Sequence, residues 1–116
     1  MAIVNCTPHT IRVICAESGA ELEFHPSGFV ARVATTESPK GQIVTKEGGV
    51  IPLVYKTFGE VEGLPLGWED SRDIYVVSGM VASAMPGTPG IYAPDTGPTA
   101  VRKDGQVVAV TRLVAA

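Results

Sequence analysis

No cluster of lysine and arginine interrupts the 116 residues, and the formal net charge is −3. Nonspecific affinity for nucleic acid comes mainly from cations that neutralise phosphates, so polymeric nucleic acid is excluded as a partner. A small anionic ligand needs only one or two well-placed cations and survives this test. No apolar run approaches the roughly 18 residues needed to span a bilayer, and the N-terminal segment lacks basic residues followed by an apolar stretch. No membrane association is therefore expected, and the expected location is the cytoplasm. Cysteine is scarce: Cys6 and Cys15 form no metal-spaced pattern with the two histidines, His9 and His25. In a reducing compartment both thiols are expected to stay free as small buried hydrophobes. No cofactor is expected.

What is present describes a globular chain. Apolar residues make up 45% and charged residues 18%, which separates the chain from disordered proteins. One domain over residues 1–116 can close a single core without a staple, whereas two would each be too small. Thirteen glycines and nine prolines imply many punctuated turns between short strands. The expected fold is mainly β (α+β), a compact antiparallel sheet, barrel or sandwich with one short helix near 78–85.

Taken in order, Met1 to Asn5 reads as a short strand that Pro8 interrupts. Thr10 to Cys15 and Glu21 to His25 alternate with period two around Ala16–Ala20, which predicts a hairpin. Phe29 to Thr36 predicts another strand, closed by Ser38-Pro39-Lys40-Gly41. Gln42 to Thr45 and Val50 to Phe58 flank Lys46-Glu47-Gly48-Gly49, a further hairpin signal in which Pro52 suggests an edge or a bulge. Glu60 to Asp73, with the only tryptophan, Trp68, reads as the longest loop. Ile74 to Val77 is a compact buried strand. Ser78 is an N-cap candidate for a helix that Pro86-Gly87 stops, with Met80, Val81, Ala84 and Met85 at helical spacing.

The clearest signal is the final hairpin, joined by Asp104-Gly105, a pair that tolerates the positive φ angles of a tight turn. A two-residue turn predicts Val101 opposite Val108 and Thr99 opposite Val110. Residues 107–114 are apolar on both faces, so they are expected to form the central strand of the sheet.

Several residues are candidates for chemistry. Pro94-Asp95-Thr96-Gly97-Pro98-Thr99 is a stiff polar loop, in which Asp95 is the nearest carboxylate able to orient Arg112. That guanidinium is either a structural ion pair or, with Thr96 and Thr99, a fork for phosphate or carboxylate. Arg32 sits among small residues and invites the same two readings, with Asp95 or Glu62 as partner. His9 is a loop imidazole suited to local hydrogen bonding or to ligand contact, and Tyr92 to core packing or stacking. The Asp95-Thr96-Gly97 triplet resembles the catalytic turn of aspartic proteases, but it lies late in the chain and is followed by Pro98 rather than a small residue. Glu60 and Glu62 share a strand face without the roughly six oxygen ligands calcium usually wants.

The segments Asn5-Cys6-Thr7-Pro8-His9, Pro26-Ser27-Gly28 with Val30-Ala31-Arg32-Val33, Tyr55 to Pro65 ending in Gly59-Glu60-Val61-Glu62-Gly63-Leu64-Pro65, and Pro94 to Thr99 together resemble a family of small phage and prophage proteins without an assigned activity. The resemblance covers most of the chain. It implies a phage-encoded protein in the host cytosol, comparable in size to the β-rich phage proteins that capture nucleotide signals of bacterial immunity. Three functions follow as expectations. The first is non-enzymatic binding of a small anionic or nucleotide-like ligand by a homo-oligomer, as an anti-defence sponge. The second is a structural or interaction module without a ligand, and the third is a small hydrolase using Asp95 or the Cys6/His9 pair.

Overall fold

The computed structural model describes residues 1–116. Ten strands and one helix follow in the order β1 (Ile3–Asn5), β2 (Ile11–Ile14), β3 (Glu21–Phe24), β4 (Arg32–Val44), β5 (Val50–Glu62), β6 (Ile74–Val76), α1 (Gly79–Ser83), β7 (Ile91–Pro94), β8 (Val101–Lys103), β9 (Gln106–Ala109) and β10 (Leu113–Ala115). The fold is mainly β with one short helix, as the turn-rich composition predicts.

The body is built on a four-stranded sheet of order β1-β6-β7-β10. β1, β6 and β7 run parallel, and β10 closes the sheet antiparallel to β7. Parallel neighbours need a crossover, and α1 lies in the connection from β6 to β7. Ser78 caps this helix by accepting a hydrogen bond from the Val81 N–H. Val81 and Ala82 are buried with Cys6, Tyr75, Val77, Ile91 and Ala93, forming the larger core. Met80 points away and is exposed.

The opposite face of the sheet holds a second cluster, in which Val76 meets Ile11 and Val110. Tyr75 and Val77 thus face one layer and Val76 the other, which explains why Ile74 to Val77 is an uninterrupted apolar run. Trp68, in a single 3-10 turn at Trp68–Asp70, packs edge-on against Tyr75 at 6.4 Å between ring centroids.

β6 therefore holds a central place that the sequence pattern assigns to residues 107–114. The chain there is two elements, β9 and β10, separated at Val110–Arg112. Val110 bridges in parallel to Val13, with its carbonyl accepting from Ile14 and its N–H donating to Arg12. The apolar character of both faces comes from different partners: Val110 is buried beneath β2, Leu113 pairs with Pro94, and Val107 and Val108 stay exposed. Asp104 and Gly105 do form the turn, at φ 53 and 80, and Lys103 opposes Gln106. Beyond them a bulge places Val101 opposite Ala109 and Arg102 opposite Val107, instead of the expected Val101 opposite Val108.

The other departure is the length of the β4–β5 hairpin. Ser38 to Gly41 does not end the strand; β4 continues through it for 13 residues, with a bulge between Pro39 and Gly41. A two-stranded ribbon has open edges, and a proline that lacks an N–H is tolerated there. β5 likewise runs past Phe58 to Glu62. The hairpin projects as an arm. The radius of gyration is 17.8 Å, against about 13 Å for a compact chain of this length.

At the arm's base the chain passes close to itself. Gly63 has φ 91, and a Cβ there would lie 2.0 Å from the Val30 carbonyl oxygen. Gly48, at the arm's tip, has a similar φ of 85 with nothing near its Cβ position. Gly63→Ala is expected to cost about 2 kcal/mol or more, and Gly48→Ala only the backbone strain of about 1 kcal/mol. Urea denaturation of both variants checks this, and equal losses would contradict the close approach.

Candidate functional site

Three parallel strands end side by side, and the segments that leave them define one surface. β1 runs into Cys6-Thr7-Pro8-His9, β6 into Val77-Ser78, and β7 through Pro94 into Asp95-Thr96-Gly97. Crevices outside the carboxyl ends of parallel strands are the usual binding position in open α/β sheets.

Asn5 organises the first segment. Its side chain is buried; Nδ2 donates to the carbonyls of His9 at 2.7 Å and Phe24 at 2.8 Å. Its Oδ1 accepts from the Thr7 N–H at 3.0 Å and the Thr7 hydroxyl at 2.7 Å. The Asn5 carbonyl accepts from the Ser27 N–H and hydroxyl at 2.9 and 2.7 Å. The turn carrying His9 is thereby fixed from inside, while the imidazole itself is exposed.

The Pro94–Thr99 loop is held from outside. Asp95 Oδ1 accepts from the Gly97 N–H at 2.9 Å, and Oδ2 accepts from Arg112 Nε at 2.5 Å. The Arg112 carbonyl in turn accepts from the Asp95 N–H at 3.1 Å. Arg102 donates from Nη1 to the Gly97 carbonyl at 3.0 Å and from Nη2 to the Thr96 carbonyl at 2.6 Å. Thr111 donates its hydroxyl to the Thr99 carbonyl at 3.2 Å. The hydrogen bond from Arg112, then that from Gly97, holds the Asp95 carboxyl below its ordinary value of 3.8.

Three clefts share Pro94 and Thr96. The largest, about 610 Å³, opens between the Thr7–His9 turn, the Ser78 cap and the Thr96 side, with Ile11 and Val107 among its walls. A second, about 380 Å³, lies between α1, the Asp95 loop and the C-terminal end of β10. A third, about 140 Å³, reaches Arg12. That guanidinium is engaged by Glu23 at 3.0 Å and Glu21 at 3.8 Å.

The structure thus gathers His9 and Thr96 at one cleft and joins Asp95 to Arg112 beside it. Arg112 lines none of the clefts; its side chain is 62% exposed and its Nη groups have no partner. Thr99 lines none of the clefts; its hydroxyl adds to the lowering of the Asp95 carboxyl, and its carbonyl accepts from Thr111. Arg32 does not join them: it is exposed at the base of the arm, opposite Glu62 in register. Tyr92 lines a separate cleft with Arg72 and Asp73, at the end where β6 begins.

The sequence reading misses Asn5 and Arg102 as organisers. Both act on backbone carbonyls, which leave no pattern of side-chain types to find. At the third cleft the Thr10 hydroxyl lies 3.2 Å from His25 Nδ1, and Glu23 lies 3.9 Å from the other ring nitrogen. The Ser78 hydroxyl accepts from Val81, and both Asp95 oxygens are engaged. Cys6 is buried, and burial raises its thiol above the ordinary value of 9.0 against a smaller lowering by Ser27.

Comparison with protein-family models, with curated protein sequences and with solved structures found no match.

The depressed Asp95 pKa fixes a pH dependence. A carboxyl whose folded pKa lies below its unfolded value contributes stability above the unfolded value, and that contribution is lost as pH falls through the folded one. Asp95→Asn is therefore expected to lower the melting temperature at pH 7, with the difference from the parent chain shrinking below about pH 4. Thermal melts of both proteins from pH 7 to 2 check it; a difference independent of pH would contradict the ion pair.

Proposed function

We propose that the chain is a non-enzymatic, phage-type protein that binds a small anionic, nucleotide-like ligand in the cleft at the carboxyl ends of β1, β6 and β7. The supporting observation is the convergence of three strand ends on one cleft of about 610 Å³, within the usual size range of small-molecule sites. The lining supplies both halves of a nucleotide's chemistry. Ile11, Pro94 and Val107 offer an apolar wall, and His9, Ser78 and Thr96 offer an imidazole and hydroxyls.

No arginine or lysine lines this cleft. Recognition then rests on shape and hydrogen bonding, which favours a ligand with a nucleoside-like body over bare phosphate. The rigidity of the loop supports binding, since a site held before the ligand arrives loses less entropy on association. The phage-family resemblance makes a host nucleotide signal the first class to screen, with sequestration as its role. The exposed β4–β5 arm favours a second reading, a structural or interaction module, and the two roles are compatible in one chain.

Calorimetry against mono-, di- and cyclic nucleotides, with inorganic phosphate as the control, tests the proposal. A nucleotide is expected to bind and phosphate is not. His9→Ala and Thr96→Val are each expected to weaken binding by about 1.5–3 kcal/mol where the lost bond reaches a charged oxygen. Binding unchanged in both variants, or no binding by any nucleotide, overturns the assignment.

A further inference from the structure

The chain has nine basic residues, and the fold directs all of them away from the cleft at the strand ends. Arg32, Lys40, Lys46 and Lys56 belong to the arm, and Arg72 lines the separate cleft beside Tyr92. Lys103 sits at the β8–β9 turn, opposite Gln106. The three remaining guanidinium groups lie on segments around the cleft and are already engaged. Arg12 is held by Glu23 and Glu21, Arg112 is held by Asp95, and Arg102 donates from both Nη groups to the carbonyls of Thr96 and Gly97. No carboxylate lines the cleft either. His9 is its one ionisable side chain, and the residue is exposed.

That distribution limits the charge a ligand can bring into the cleft. An imidazole offers at most one positive charge, and the Ser78 and Thr96 hydroxyls add neutral donors. The helix supplies no phosphate cradle, because α1 is five residues long and its Val81 N–H already donates to Ser78. A terminal phosphate monoester carries close to two negative charges at neutral pH, over three acceptor oxygens. One of those charges would leave water without a partner, which is costly. The chain's own net charge of −3 adds repulsion. A phosphodiester differs in kind: its single charge is shared by two oxygens, which one imidazole N–H and two hydroxyls are enough to satisfy.

We infer that the cleft selects its ligand by charge: the nucleotide it takes carries its phosphate as a diester, internal or cyclic, with the single negative charge at His9, and a nucleotide ending in a free phosphate is rejected. The inference rests on the binding cleft proposed above and names the class of nucleotide within it. Selection of this kind follows from the lack of a second cation, so adding one to the wall must relax it.

Calorimetry at pH 7 with a matched set of probes tests this in the unmodified chain. For each common base, the nucleoside, its 5′-monophosphate and the methyl ester of that monophosphate share base and sugar, and the two phosphates differ by about one charge. For the base that binds best, the methyl ester is expected to bind at least about tenfold more tightly than the monophosphate. His9→Gln is expected to remove the advantage of the methyl ester over the nucleoside. Val107→Lys, at a position 40% exposed on the cleft wall, supplies the missing cation and is expected to bring the monophosphate level with its methyl ester or ahead of it. Near-ultraviolet circular dichroism, reporting Trp68 and Tyr75, checks that both variants keep the fold, and the matched set decides the question without them. A monophosphate bound by the unmodified chain as tightly as its methyl ester overturns the charge selection and leaves nucleotide binding in the cleft standing. A preference for the methyl ester that is unchanged in folded Val107→Lys overturns it as well, and binding by no member of the set removes both readings.

Discussion

A single buried amide ties the body together. Asn5 has two side-chain donors and two acceptor lone pairs, and the structure uses all four, on His9, Phe24 and twice on Thr7. Those partners belong to the β1 exit, the end of β3 and the turn between them, so one side chain links the parallel sheet to the β2–β3 hairpin. A buried polar group left unsatisfied costs about 1–3 kcal/mol, and a fully satisfied one fixes geometry because any shift breaks several bonds together. The position of His9 at the cleft follows from this constraint rather than from any contact made by its own ring.

The loop after β7 reaches the same rigidity by the opposite route. Asn5 works from inside with one residue contacting many, while Asp95, Arg102, Arg112 and Thr111 each contribute one or two bonds from the surface. Exposed ion pairs contribute little individually. Here they act on consecutive backbone groups of one short loop, so their common effect is to hold its shape. The two halves of the cleft are thus set independently, one by a buried network and one by an exposed clamp.

How much of this was legible depended on the range of the interaction. The turns at Asp104-Gly105 and around Gly48-Gly49, and the Ser78 cap, are written in adjacent residues, and the sequence reading placed them. The Asp95 loop stood out because its prolines and hydroxyls are local features. The parallel pairing of β1 with β6 was not legible, since it joins residues about seventy positions apart and leaves only two short apolar runs as its trace. The strand Ile91–Pro94 leaves little trace for a similar reason: it is four residues long and ends in proline. At residues 107–114 the pattern misled, because two strands with different partners summed to what looked like one strand buried on both faces. At Ser38–Gly41 the proline signal predicts a stop, as it would be in a central strand, and the open ribbon edge removes that penalty.

The arm also bears on the order in which the chain assembles. β1 and β6 must meet across the whole segment from Cys6 to Asp73, and long-range closure is slow because its entropy is lost before any contact rewards it. The arm is inserted in that segment and is itself a local hairpin, able to zip from its tip without waiting for the rest. Once Arg32 stands opposite Glu62, those thirty-one residues no longer count toward the span, and the loop left to close is roughly halved, an entropic saving of about 0.6 kcal/mol. A projection that contributes almost nothing to the finished core thereby shortens the span that must close to form it, and sequence changes that loosen the ribbon are expected to slow the appearance of the sheet.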